Sequence, residues 1–201
     1  MIDLRSRLVA AVAASAVPSS DFDLNPEAPP APPAAGLRRA AVLAAFRADG
    51  GNLLLTQRAS GLRHHPGQIA LPGGKVDPTD SGPIAAALRE AREEIGLPEA
   101  QVEVLGGMPV HRTVTGFAVT PVIGLIHGPF TPVPEPGEVE EVFEVPLAHV
   151  ADLTRYRVER RMWRGTWRSY DIVPFGPYYI WGATARMLHA LAHALDGEAR
   201  Q

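Results

Sequence analysis

There is no cysteine in the chain, which excludes disulfides, thiolate metal sites and cysteine nucleophiles and agrees with the reducing cytoplasm as the expected compartment. An excess of positive charge is missing too. With 19 Lys and Arg against 22 Asp and Glu, the net charge is −3, so no broad nucleic-acid binding is expected, and an anionic substrate has to be held by local arginines and metal. Aromatic residues make up only 6%. Trp163, Trp167 and Trp181 are not interleaved with a basic groove, so they read as core or interface residues rather than a base-stacking platform. The alanine-rich run 8–17 is too short for a membrane span, and no internal repeat is present.

Arg5 and Arg7 before that run give it a faint look of a secretory signal. Asp3 precedes them, however, and alanine is the best helix former, so a short docking helix is the preferred reading. The stretch 18–36, with Pro29, Pro30, Pro32 and Pro33, reads as an extended linker. The expected organisation is therefore an N-terminal helix and Pro/Ala-rich linker over 1–36 and one enzyme domain over 37–201. A chain of 201 residues with ordinary apolar and charged fractions is long enough for one sizeable core.

What is present is a glycine loop, Leu71-Pro72-Gly73-Gly74-Lys75, followed by the acidic run Arg89-Glu90-Ala91-Arg92-Glu93-Glu94-Ile95-Gly96. The acidic run reads as a helix. Ile84, Leu88, Ala91 and Ile95 make an apolar stripe expected to face the core. Ser81 or Gly82 at the N-cap, Pro83 at the first position, Gly96 past the end and Pro98 beyond supply the start and stop signals. On this reading Glu90, Glu93 and Glu94 lie opposite the stripe, crowded in one patch of solvent. A hard divalent cation relieves such crowding, because Mg²⁺ takes a few carboxylate oxygens and leaves its other positions to water and phosphate. The competing reading is an ordinary solvated helix face paired with arginines.

The rest alternates in a manner that suits a mixed α/β layer. Segments 40–46 and 52–56 read as strands joined by the turn Asp49-Gly50-Gly51, and 68–71 as a short strand feeding the glycine loop. Further strands are expected at 102–110, 117–126 and 139–145, with a short helix at 146–153. A hairpin of 155–164 with 167–173 and a terminal helix over 179–195 complete the pattern. Helices on both faces of the sheet follow from the layer rule.

Gly-Gly followed by Arg-Glu-x-x-Glu-Glu-x-Gly-hydrophobic resembles the signature of the Nudix hydrolases, magnesium-dependent enzymes that cut a diphosphate linked to another group. The loop here is one residue longer than the usual signature, and Asp80 is assigned the place of its upstream glutamate. A second element, Leu54-Leu55-Thr56-Gln57-Arg58-Ala59, then Arg63, Gly67 and Leu71-Pro72-Gly73-Gly74, is similar to the mark of the coenzyme A pyrophosphatase branch, with Leu71 replacing its usual phenylalanine. Asp77-Pro78-Thr79-Asp80 and Tyr178-Tyr179-Ile180-Trp181-Gly182-Ala183-Thr184-Ala185 suit that branch as well.

The resemblance implies an α/β/α sandwich with a mixed central sheet. It also implies Mg²⁺ (or Mn²⁺) held by Glu90, Glu93, Glu94 and the Gly74 carbonyl. Glu93 would be the general base, with Glu138, Glu140 and Glu141 as competitors, and Arg89 would orient the glutamates. Coenzyme A would be contacted by Arg58, Arg63 and Gln68, with His64 and His65 nearby, and split into 3′,5′-ADP and 4′-phosphopantetheine. Acylated or oxidised coenzyme A fits the same chemistry. Arg58 and Arg63 also have a plain reading as salt-bridge residues, and the two histidines as solvated loop residues. The alternatives are a pyrophosphatase for nucleoside triphosphates or dinucleotides and, last, a non-catalytic binding module of the same fold. The small-molecule substrate is the one expected partner besides a homodimer mate, for which the 155–173 hairpin is a candidate surface; internal packing accounts for its tryptophans equally well.

Overall fold

The computed structural model describes residues 3–27, 31–163 and 165–199. Period-two patterning sets its layers. In β2 (Arg38–Arg47), Ala41, Leu43 and Ala45 face one side of the sheet while Ala40, Ala44 and Phe46 face the other. In β3 (Asn52–Arg58), Leu54 joins the first set and Leu53 and Leu55 the second. A strand buried on both faces needs a layer over each. Helix α2 (Pro83–Ile95) covers the first face through Ala86, Ala87, Ala91 and Ile95. Helices α1 (Leu4–Ala14) and α4 (Gly182–Ala199) cover the second, Leu8 and Ala11 packing in one core cluster with Leu188, Leu191 and Leu195.

The sheet is mixed. Its main path runs β1 (Ser19–Ser20), β7 (His111–Arg112), β8 (Phe117–Ile126), β2, β3 and β4 (Ile69–Ala70). Alongside it β5 (Gly73–Lys75) pairs with β2, β6 (Val102–Gly107) with β8 and β9 (Val139–Pro146) with β3. The β2–β8 and β1–β7 pairs are parallel and the rest antiparallel. The short helix α3 (Leu147–Val150) follows β9. Strands β10 (Arg157–Trp163) and β11 (Thr166–Ile172) form a separate antiparallel hairpin; Arg164, inside the hairpin expected from sequence, lies outside the described residues. Among the described residues no helix is long and apolar enough to cross a membrane.

Several expectations need correction. The 18–36 stretch is not wholly extended linker, since Ser19–Ser20 enters the sheet beside His111–Arg112 and Ala34–Gly36 is a 3₁₀ turn; Pro29 and Pro30 lie outside the described residues. Buried polar groups fix the first of these. The Ser19 hydroxyl bonds His111 Nδ1 at 2.9 Å, and Asp21 reaches His111 Nε2 and the Val114 N–H. The expected strand 102–110 stops at Gly107, and His111–Arg112 forms its own strand. The terminal helix starts at Gly182, because Ile180 and Trp181 still pair with the end of β11, the Val173 N–H bonding the Ile180 carbonyl.

Helix α2 matches its end signals, with Gly82 as N-cap, Pro83 first and Gly96 left-handed at φ 69°. Its rotation differs from expectation. Ile84 is 43% exposed, while Glu94 is on the buried face. Alanines at 86, 87 and 91 let the helix approach the sheet closely, and the apolar face they make is rotated relative to a stripe drawn through the larger side chains.

Candidate active site

Strand β5 pairs antiparallel with β2, Ala41 opposite Gly74 and Val42 opposite Gly73, which sets the two glycines beneath α2. The Gly73 N–H donates to Glu94 Oε2 at 3.0 Å. A Cβ on Gly74 would lie 2.6 Å from Glu90 Oε2. The missing side chain is thus what makes room for the Glu90 carboxylate.

The acids are graded in burial rather than gathered in open solvent. Side-chain exposure is 7% for Glu94, 19% for Glu90 and 49% for Glu93. Burial pushes Glu94 up to about 7, against the opposing pull of the Gly73 N–H and Arg58, with Glu90 and Glu138 adding to the rise. Burial also raises Glu90, opposed by Arg89 and assisted by Glu93 and Glu138. Ionised carboxylates held this way are short of compensating positive charge.

Arg89 supplies part of that charge. Its Nε and Nη2 donate to Asp80 Oδ1 and Oδ2, both at 3.0 Å, and Nη1 donates to Glu90 at 3.0 Å and Glu93 at 2.9 Å. Nη2 also reaches the Lys75 carbonyl at 3.1 Å. The bidentate hydrogen bonds from Arg89, with the Asp77 backbone next, hold the Asp80 carboxyl below its usual range. Asp80 therefore anchors the arginine, and the arginine orients two glutamates.

The other candidates separate clearly. Arg58 Nη1 stands 3.9 Å from Glu94 Oε1. Arg58, Gln68 and His65 line a cavity of about 630 Å³, a volume usual for a small-molecule site. The Gln68 amide oxygen pairs with His65 Nδ1 at 2.9 Å. Arg63 and His64 are exposed, and neither lines the cavity. Of the late acids, Glu140 accepts from the Ser60 N–H and Glu141 from the Tyr178 hydroxyl; Glu138 is the one that acts electrostatically on both Glu90 and Glu94.

Sequence reasoning missed the far walls of this cavity. They come from Ser20 and Asp21, from Arg161, Trp163, Arg168 and Tyr170 of the hairpin, and from Trp181. The available signal was local: residues 155–168 hold Arg155, Arg157, Arg160, Arg161, Arg164 and Arg168 in a chain of net charge −3.

Among the described residues, no three His, Cys, Asp or Glu side chains already converge as a finished metal cage. The donor chemistry nonetheless suits a hard divalent cation. Glu90 and Glu94 are desolvated carboxylates beside a glycine strand, and Glu93 adds a more exposed one, the pattern Mg²⁺ accepts.

The decisive comparison is with family models: residues 37–164 match the NUDIX domain. The chain belongs to the Nudix family. Nudix relatives include proteins called uncharacterized Nudix hydrolase NudL in Salmonella paratyphi B and Salmonella newport. Each is 47% identical over 156 residues, covering 77% of this chain and 81% of the relative. Among solved structures, the MutT protein of Methanosarcina mazei Go1 superposes with a TM-score of 0.52 at 19% identity, covering 82% of this chain and 96% of that one, a likeness of Nudix fold. The protein is a Nudix hydrolase, acting on phosphoanhydride bonds.

Proposed function

We propose that this Nudix hydrolase is a cytoplasmic coenzyme A pyrophosphatase that splits the coenzyme A diphosphate into 3′,5′-ADP and 4′-phosphopantetheine. One observation carries the reading: the coenzyme A element and the acidic helix meet, with Arg58 Nη1 at 3.9 Å from Glu94 and Arg58 and Gln68 both on the cavity wall. In this reading Glu90, Glu93, Glu94 and the Gly74 carbonyl hold Mg²⁺ or Mn²⁺. The ion supplies Lewis acidity toward the diphosphate oxygens and makes water a better nucleophile at neutral pH.

The chain's own side chains do the remainder. Arg58, the cavity arginine beside the acids, binds the diphosphate. Gln68, oriented by His65, holds the neighbouring polar part of the substrate. Arg63 is left out of the contact set because it is exposed and is not among the residues lining the cavity. Glu93, the most exposed of the three helix acids, accepts the proton from the attacking water, and Glu138 is its remaining competitor. Arg89 positions Glu90 and Glu93.

Incubation of the purified protein with Mg²⁺ and a substrate panel, with chromatography of the products, tests the proposal. Release of 3′,5′-ADP from coenzyme A is expected. Turnover confined to nucleoside triphosphates or dinucleotides, or silence on every substrate, would overturn it.

A further inference from the structure

The cavity has a second wall, built from the hairpin and the N-terminal segment, and its donors are unanswered. Arg168 in β11 lies over two aromatic rings, its guanidinium carbon 5.5 Å from the Phe22 centroid and 5.1 Å from that of Trp163. Its Nε and Nη1 are buried with no hydrogen-bond partner among the described residues. A ring face attracts the charge but does not satisfy in-plane N–H bonds. Leaving a buried charged donor unpaired is costly, so such a fork at a cavity calls for an anion.

The neighbouring arginines differ. Arg186 also has a buried Nε without a partner among the described residues, but it gives Nη1 to Asp171 and Nη2 to Asp23, so its charge is already answered. Arg58 stands beside Glu94. Arg161 lines the same cavity at its exposed rim and, like Arg168, has no carboxylate partner among the described residues.

We infer that this wall binds the phosphomonoester at the nucleoside end of the substrate, with Arg168 as the principal contact and Arg161 assisting at the rim. The planar fork suits two phosphate oxygens at once. The base then lies toward Tyr170 and Trp181, whose rings meet edge to face at 5.1 Å and line that part of the cavity with aromatic surface. This inference rests on the coenzyme A reading and assigns the 3′-phosphate to residues outside the motifs that suggested that reading.

Two measurements test it. Calorimetric binding of 3′,5′-ADP and of 5′-AMP in excess chelator reads the wall without catalysis. The wild type is expected to prefer 3′,5′-ADP by at least about tenfold, and Arg168→Ala to reduce that preference to below about threefold, the scale of a charge-assisted hydrogen bond. Steady-state kinetics then compare coenzyme A with 3′-dephospho-coenzyme A. In Arg168→Ala the discrimination between them should shrink about tenfold or more, mostly through KM. Arg168→Lys, which keeps the charge and loses the fork, should fall between and serves if the alanine variant fails to fold. Equal affinity of the wild type for both nucleotides, or unaltered preference in both variants, overturns the inference whatever the enzyme hydrolyses. Absence of coenzyme A hydrolysis with the nucleotide preference intact overturns the substrate reading and leaves the phosphomonoester wall standing.

Discussion

Two adjacent glycines should respond in opposite ways to the same added methyl group. At Gly73, φ is 155° and a Cβ would lie 2.6 Å from Val42 Cα, so the obstruction is backbone of the partner strand. Backbone in a two-sided sheet cannot yield cheaply. Strain in that region costs about 1–3 kcal/mol, and displacing β5 from β2 adds overpacking of about 1–3 kcal/mol. A total near 4 kcal/mol corresponds to a fall in Tm of roughly 8–16 °C for a chain of this size. At Gly74, φ is not positive and the obstruction is the carboxylate end of Glu90. A flexible side chain can swing aside, and alanine recovers about 0.5–1 kcal/mol of unfolded-chain entropy, so Tm should change by no more than about 4 °C. The displaced carboxylate can no longer serve the site. Removing one ligand of a cation clamp should then lower kcat about 100-fold, or ~2.7 kcal/mol. Thermal melts followed by circular dichroism, with coenzyme A turnover on the same preparations, read both quantities. If Gly74→Ala keeps turnover within about threefold of wild type, or loses stability as fully as Gly73→Ala, the reasoning is wrong.

Glu94 gives a pH signature. Its folded value of about 7 lies above its ordinary 4.5, so the folded state keeps a proton that the unfolded chain has released. The associated stability is complete below about 4.5 and is lost as pH rises through about 7, amounting to about 3 kcal/mol. In urea titrations with chelator, Glu94→Gln should therefore gain on wild type between pH 5 and 8; parallel midpoints would count against it. Leu8→Ala should cost about 2–5 kcal/mol, since Leu8 is fully buried in the main core, and an unchanged urea midpoint would show that α1 is not part of it. Asp80→Asn should lower turnover about tenfold by loosening Arg89, with the melt little changed; equal loss of both would make Asp80 merely structural.

The sequence made α2 readable at its ends because Gly82, Pro83 and Gly96 act locally, through φ and missing N–H groups. Its rotation was not readable. Small alanines define the contact face, and periodicity weighted toward Ile84 and Leu88 pointed elsewhere, so Glu94 was expected in solvent. The alternating strands were legible for the same local reason, down to the bounds of Phe117–Ile126. The first helix was foreseen from its alanines, whereas Ser19–Ser20 joining the sheet was not, because two serines carry no strand pattern and are fixed by a distant histidine. The acids and Arg58 were singled out through motifs. Arg168 was not, since its meaning depends on Phe22, nearly 150 residues away in sequence.

The cavity is walled in part by Ser20 and Asp21 and in part by β11 and Trp181, pieces that flank the 37–164 region matching the family. On the reading proposed above, ligand choice is therefore shared between these flanks and Arg58, Gln68 and Arg161 inside that region. If that reading holds, recombining only the flanks between such enzymes should shift what they accept without wholly resetting it, and a fusion at the amino end, close to Ser20 and Asp21, should be felt in affinity.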